Sequence, residues 1–134
     1  MNPTKTITIC GHEVDMLYCA GAETGYEEIS EGKSSDVFSP HRDKDENGNE
    51  IFLPPEATTG DWIKLAFASI ICAYAKLGKN TPISIKDILY NTTPLEVTEL
   101  ITAVITLRNE WYKIPSVVKE EMKPAANSDN PKNA

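Results

Sequence analysis

Hydrophobic and polar residues alternate with period two over Thr6-Ile7-Thr8-Ile9-Cys10 and Glu13-Val14-Asp15-Met16-Leu17-Tyr18, the period of a strand with one buried face. Gly11-His12 between them predicts a β-hairpin closed by a two-residue type II′ turn, with glycine at the first central position. Such a turn pairs Cys10 with Glu13, Ile9 with Val14 and Ile7 with Met16. Ile7, Ile9, Val14, Met16 and Tyr18 then share one apolar face, and Thr6, Thr8 and Asp15 the other. A lone hairpin is marginal in water, so helices are expected to cover that apolar face.

The helical period appears further on. Ile63, Phe67, Ile70, Tyr74 and Leu77 recur at four-three-four-three spacing and predict a core helix over 61–77, with Gly78 as its C′ residue. Its middle, 65–75, is apolar nearly all round, but eleven residues fall far short of the roughly 20 that cross a bilayer. Ser84-Ile85-Lys86-Asp87 is a capping box for a short helix through Tyr90. Thr93-Pro94-Leu95-Glu96 is a stronger one, with proline at the first helical position. It opens a long helix to about Tyr112, on which Val97, Leu100, Val104, Leu107 and Trp111 form the stripe and Ile101 and Ile105 widen it. A shorter helix is expected from near Thr24, with Glu27 in a capping-box position and Tyr26 and Ile29 facing inward.

Between these elements, residues 39–58 are polar and rich in turn formers. They read either as a flexible loop or as a second small hairpin turning at Asn47-Gly48. After Pro115 the composition becomes polar, and residues 116–134 are expected to be a disordered tail. The expected architecture is a single α+β domain over 1–115, in which the N-terminal β-hairpin packs on a small helical bundle centred on the helices at about 61–77 and 94–113.

Charge changes what such a domain could bind. The net charge is −7, and residues 1–60 hold twelve acids against four bases, while 61–114 hold five against six. The N-terminal half repels phosphates and anionic lipid, and no Lys/Arg cluster offsets it, so nucleic acid and membrane surfaces are disfavoured as partners. Proteins are the favoured partners. Cys10, Cys19 and Cys72 cannot all pair with one another and lack CxxC spacing, which predicts reduced, half-buried thiols. The N-terminus runs into a strand pattern without a signal-peptide layout, which points to the cytoplasm.

Candidate chemistry is sparse. Asp43-Lys44-Asp45-Glu46-Asn47-Gly48 resembles the opening of a calcium loop, but Pro54 stands where the bidentate carboxylate is needed. His12 and His41 are isolated from the groups that general-base or metal chemistry requires. No Gly-rich phosphate loop, nucleophile elbow or HExxH occurs. A binding protein rather than an enzyme is therefore expected, with no catalytic residue, cofactor or metal site. Trp111-Tyr112-Lys113-Ile114 is the leading candidate surface, because two adjacent aromatics on one helix cannot both face the same core. Partner-binding residues are thus expected at Trp111, Tyr112 and Ile114. The hairpin's outer edge and the acidic stretch Glu27-Glu28-Glu31 are further candidates.

The order of elements resembles the tail assembly chaperone family of long-tailed bacteriophages and prophages. The resemblance lies in the hairpin Ile7-Thr8-Ile9-Cys10-Gly11-His12-Glu13-Val14, in Glu23-Thr24-Gly25-Tyr26-Glu27-Glu28-Ile29 with Gly32-Lys33-Ser34 and Asp36-Val37-Phe38, in the apolar helix from Asp61, and in a last helix ending Glu110-Trp111-Tyr112. It covers roughly residues 5–115. The resemblance implies a noncatalytic protein of the bacterial host cytoplasm that binds the tape measure protein and recruits tail tube protein during tail morphogenesis. In many such proteins a programmed frameshift extends the chain. No binding residue carries over from the family, and the insert at 39–58 departs from its pattern. The competing expectations are a small regulatory or adaptor protein of a mobile element and a weak calcium-binding interaction module.

Overall fold

The computed structural model describes residues 2–33 and 37–114. Along the chain run β1 (Thr4–Ile9), β2 (His12–Leu17), α1 (Ala20–Ser30), β3 (His41–Lys44), β4 (Glu50–Leu53), α2 (Thr59–Lys76), α3 (Ile85–Asn91) and α4 (Pro94–Lys113). β1 and β2 form one two-stranded antiparallel sheet, β3 and β4 another. α2 packs against α1, β2, α4 and α3, and α4 also packs against β1. The architecture is the expected α+β one, a hairpin on a helical bundle. The tail at 116–134 lies outside the described residues.

α2 takes the central place because it has almost no polar side to give to solvent. Ile63, Leu65, Ala66, Ala68, Ser69, Ile70 and Ala73 are all buried, so neighbours surround it through most of its length. The buried hydroxyl of Ser69 donates to the Leu65 carbonyl at 3.0 Å and is thereby satisfied. The helix begins two residues before Asp61, because Thr58 and Asp61 form a capping box. It ends in a Schellman motif, with Lys79 N–H on the Tyr74 carbonyl, Gly78 N–H on that of Ala75, and Gly78 at φ +70°. Leu77, expected to close the core stripe, is 58% exposed. It is the C-cap residue and stands outside the buried stripe.

The hairpin keeps its expected apolar face but not its expected register. Ile9, Val14, Met16 and Tyr18 are fully buried, and Ile7 is half-buried. The pairs, however, are Ile9 with His12, Ile7 with Val14 and Lys5 with Met16. The turn is therefore Cys10-Gly11, with φ +51° and +76°, both positive as in a type I′ turn. This moves the pairing by two residues, an even number, which preserves each strand's faces. Tertiary contacts explain why a non-glycine accepts the left-handed region. Cys10 N–H donates to a Glu96 carboxylate oxygen at 2.9 Å, and its Sγ donates to the Asp87 carbonyl at 3.5 Å. Asparagine tolerates that conformation better than cysteine, so Cys10→Asn is expected to stabilise the fold by about 0.5–1 kcal/mol. A thermal melt checks it; a loss of the same size would show that the Sγ contact outweighs the turn strain.

α1 starts at Ala20, four residues before the expected start at Thr24, and its N-cap residue Cys19 makes no side-chain cap bond. Packing rather than capping places that first turn: Ala22 and Tyr26 are buried, and the Tyr26 hydroxyl donates to Asp61 at 2.9 Å. Ile29 is half-buried. Of the two readings of 39–58, the structure takes the hairpin. Gly48 adopts φ +82° and its N–H donates to the Asp45 carbonyl at 3.0 Å.

α3 and α4 begin as expected, each with a complete capping box, Ser84/Asp87 and Thr93/Glu96. Hydrogen bonds to these carboxylates hold them below their ordinary range, chiefly from Ser84 N–H for Asp87, and from Thr93 N–H and then Cys10 N–H for Glu96. Burial opposes the same effect at Asp61, but the bonds from Thr58 and Tyr26 prevail. All three are thus harder to protonate folded than unfolded. Their contribution is present above the ordinary carboxylate range and lost as pH falls through the lowered values. Urea midpoints are expected to be flat from pH 7 to about 5 and to fall below about 4, and replacing Glu96 with Gln should flatten that fall. An unchanged acid limb in the Gln variant would remove Glu96 from the explanation.

Candidate interaction site at the end of the last helix

Leu100, Val104 and Leu107 bury one side of α4, and the same stripe brings Trp111 half-buried against Tyr18, with ring centroids 5.5 Å apart. Its neighbour Tyr112 cannot follow. It is 55% exposed, as is Ile114 at 41%, so of the three expected surface residues two reach solvent and Trp111 is largely taken up in packing. Leu107 and Arg108 show the same division one turn earlier. Leu107 points into the core, while Arg108 lies across its margin with its side chain 13% exposed.

One carboxylate organises this end of the molecule. Glu23, in the first turn of α1, accepts the Tyr18 hydroxyl at 2.8 Å and the Tyr112 hydroxyl at 2.8 and 3.0 Å. Arg108 Nε lies 3.5 Å from the same group, and the guanidinium carbon sits 4.6 Å from the Tyr112 ring centre and 5.7 Å from that of Phe38. The guanidinium is therefore faced by two aromatic rings and one carboxylate, a setting that favours arginine over lysine. Arg108 Nε is buried without a hydrogen bond among the described residues, so ion pairing and ring stacking compensate it. Burial, and then the adjacent Glu23, push the Tyr18 phenol far above its ordinary range, and the Tyr112 phenol is raised in the same way. Both act as neutral donors.

Beside this cluster a depression of about 330 Å³ is lined by Ser39, Arg108, Asn109, Tyr112 and Lys113. Its lining combines two basic side chains with one aromatic ring. The arrangement can hold a partner by packing on Tyr112 and Ile114 and by hydrogen bonds around them. Sequence reasoning found the aromatics but missed Glu23 and Arg108. A lone Arg beside an apolar stripe is a visible signal, whereas its partner 85 positions away is not.

The other candidates are placed as follows. Asp45 turns its carboxylate onto its own turn, accepting Asn47 N–H and Asn49 N–H at 2.9 Å each, and Asp43 accepts Lys44 N–H at 2.8 Å. Among the described residues no group of three or more His, Cys, Asp and Glu side chains is placed to hold a metal ion. His12 opens β2 and His41 opens β3, in different sheets. All three cysteines are free thiols and half-buried. Burial, with Cys19 as neighbour, pushes the Cys72 thiol up to about 12. Among the described residues no helix is long and apolar enough to cross a membrane. No protein-family model matches the chain, and no match was found among curated proteins or solved structures.

Proposed function

We propose that the protein is a noncatalytic tail assembly chaperone of a phage or prophage, acting in the bacterial cytoplasm and binding tape measure and tail tube proteins while the tail is built. The observation that carries the reading is the exposure of Tyr112 and Ile114 together at the end of a helix that buries Leu100, Ala103, Val104 and Leu107 and exposes Leu95 at its opposite end. Exposed aromatic and aliphatic side chains beside a well-packed Arg–aromatic cluster have the character of interface anchors. The sequence resemblance supplies the identity of the partners. Titratable groups with shifted pKa values here serve caps, turns and packing, in keeping with binding rather than turnover.

Co-expression with the tape measure and tail tube proteins of the phage or prophage that carries it tests the reading. A tagged chain is expected to retain at least one of them, and Ile114→Asp with Tyr112→Ala is expected to weaken retention at least tenfold without unfolding the chain. No association of the unaltered chain with either protein would overturn it.

A further inference from the structure

The hairpin leaves one strand edge open. In an antiparallel pair, successive residues turn their N–H and C=O groups alternately toward the partner strand and away from it. Two bonds fix the phase here. Tyr18 N–H donates across the hairpin to the Pro3 carbonyl at 3.0 Å, whereas Asp15 N–H points out of it, to the Tyr74 hydroxyl at 3.2 Å. With Thr4 opposite Leu17, Thr6 opposite Asp15 and Thr8 opposite Glu13, the outward-facing groups on β1 are those of Thr4, Thr6 and Thr8. The β2 edge is met by α2 through Tyr74. The β1 edge is capped only at its end, where Cys10 N–H donates to Glu96. Among the described residues nothing bonds to the outward backbone groups of Thr8, Thr6 and Thr4.

A groove of about 490 Å³ runs along this open edge, between β1 and a wall of α4 formed by Thr98, Thr102, Ala103 and Thr106. Donors and acceptors repeating every second residue, ~6.8 Å apart, are complementary to another strand. The geometry points to a strand-addition site: an extended segment of a partner protein pairs with Thr4–Thr8 and lays alternate side chains on the α4 wall. The hydroxyls of Thr98 and Thr106 donate to the carbonyls of Pro94 and Thr102, so the wall offers methyl groups and suits small or β-branched side chains. Lys5 and Glu99 border the groove and select a segment carrying an acid near the first and a base near the second. A second copy fits poorly, because β1, Thr-Lys-Thr-Ile-Thr-Ile, has no acid to place against Lys5. The site holds whichever protein supplies the strand, and so stands apart from the chaperone reading.

Amide exchange resolved by NMR tests it, using two pools of N-acetylated hexapeptides. Both pools have valine or threonine at one of the three wall-facing positions and serine at the outward-facing ones; one carries a glutamate and an arginine at the other two wall-facing positions, the other only serine. At about 1 mM the charged pool is expected to slow exchange at Thr4, Thr6 and Thr8 at least tenfold, and the serine pool less. Thr6→Pro removes an outward N–H and leaves the β1–β2 bonds intact, and it is expected to abolish protection at Thr4 and Thr8. Should that variant unfold, Lys5→Glu serves instead, with the advantage of the charged pool expected to shrink at least threefold. Unchanged exchange at all three amides with both pools overturns the proposal. So does concentration-dependent protection without peptide, which would assign the edge to a second copy.

Discussion

Glu23→Ala is expected to cost about 3 kcal/mol, more than the loss of any single hydrogen bond in the molecule. The carboxylate takes two phenol donors and faces Arg108, so its removal leaves two hydroxyls without their acceptor and a guanidinium without its counter-charge at once. Arg108 suffers most, because its side chain is 13% exposed and its Nε is already without a hydrogen bond. Breaking a buried pair from one side is worth about 3–5 kcal/mol, and the partial exposure of both groups argues for the lower end. Glu23→Gln keeps one carbonyl acceptor and loses the charge, so roughly half that cost is expected. For a domain of this size the Ala variant should melt about 10 °C lower. Urea unfolding of the two variants decides it. A Glu23→Ala loss under about 1 kcal/mol, or a Gln variant as unstable as the Ala one, would show that the cluster is not organised by this carboxylate.

The contrast between Glu23 and the caps shows how far local sequence reaches. Ser84/Asp87 and Thr93/Glu96 each complete a motif within four residues, and both helices start where that motif predicts. Thr58/Asp61 follows the same rule and could have been read in the same way. The hairpin turn could not. Gly11-His12 is the better local choice, and Cys10-Gly11 prevails through contacts to Glu96 and Asp87, more than 75 positions along the chain. Because the shift is by two, the face pattern read from the alternation survives it. The start of α1 was hidden for a related reason, since no side chain caps it and its first turn is set by what Ala22 and Glu23 meet. At the candidate site the periodicity of α4 placed Trp111 and Tyr112, because helical spacing is local. The joining of Arg108, Phe38, Tyr18 and Glu23 depends on how three separate segments meet. The open edge of β1 lay in the hairpin pattern, but its groove required α4 alongside it.

Gly25→Val is expected to destabilise the fold by more than about 3 kcal/mol, the other large effect this structure implies. A Cβ at Gly25 would stand 3.1 Å from the Cβ of Ala68 and 3.9 Å from its Cα, so α1 and α2 cross with almost no side chain between them. Ala68 is 1% exposed, and Leu65 and Ile70 on the same helix are fully buried, so α2 cannot retreat. Alanine at 25 would meet the tight contact but gain helix propensity of about 1 kcal/mol, and a change within about 1 kcal/mol of zero is expected. Valine adds two methyl groups where no space exists and loses much of that propensity gain. Relief should come from the other side of the crossing. Ala68→Gly in the valine background removes the opposing methyl, and recovery of at least about 1 kcal/mol relative to the additive sum is expected. Strict additivity of the two substitutions in urea unfolding would show that the residues do not meet. Coupling would establish the α1–α2 crossing, on which the placement of Glu23 against Arg108 and Tyr112 depends.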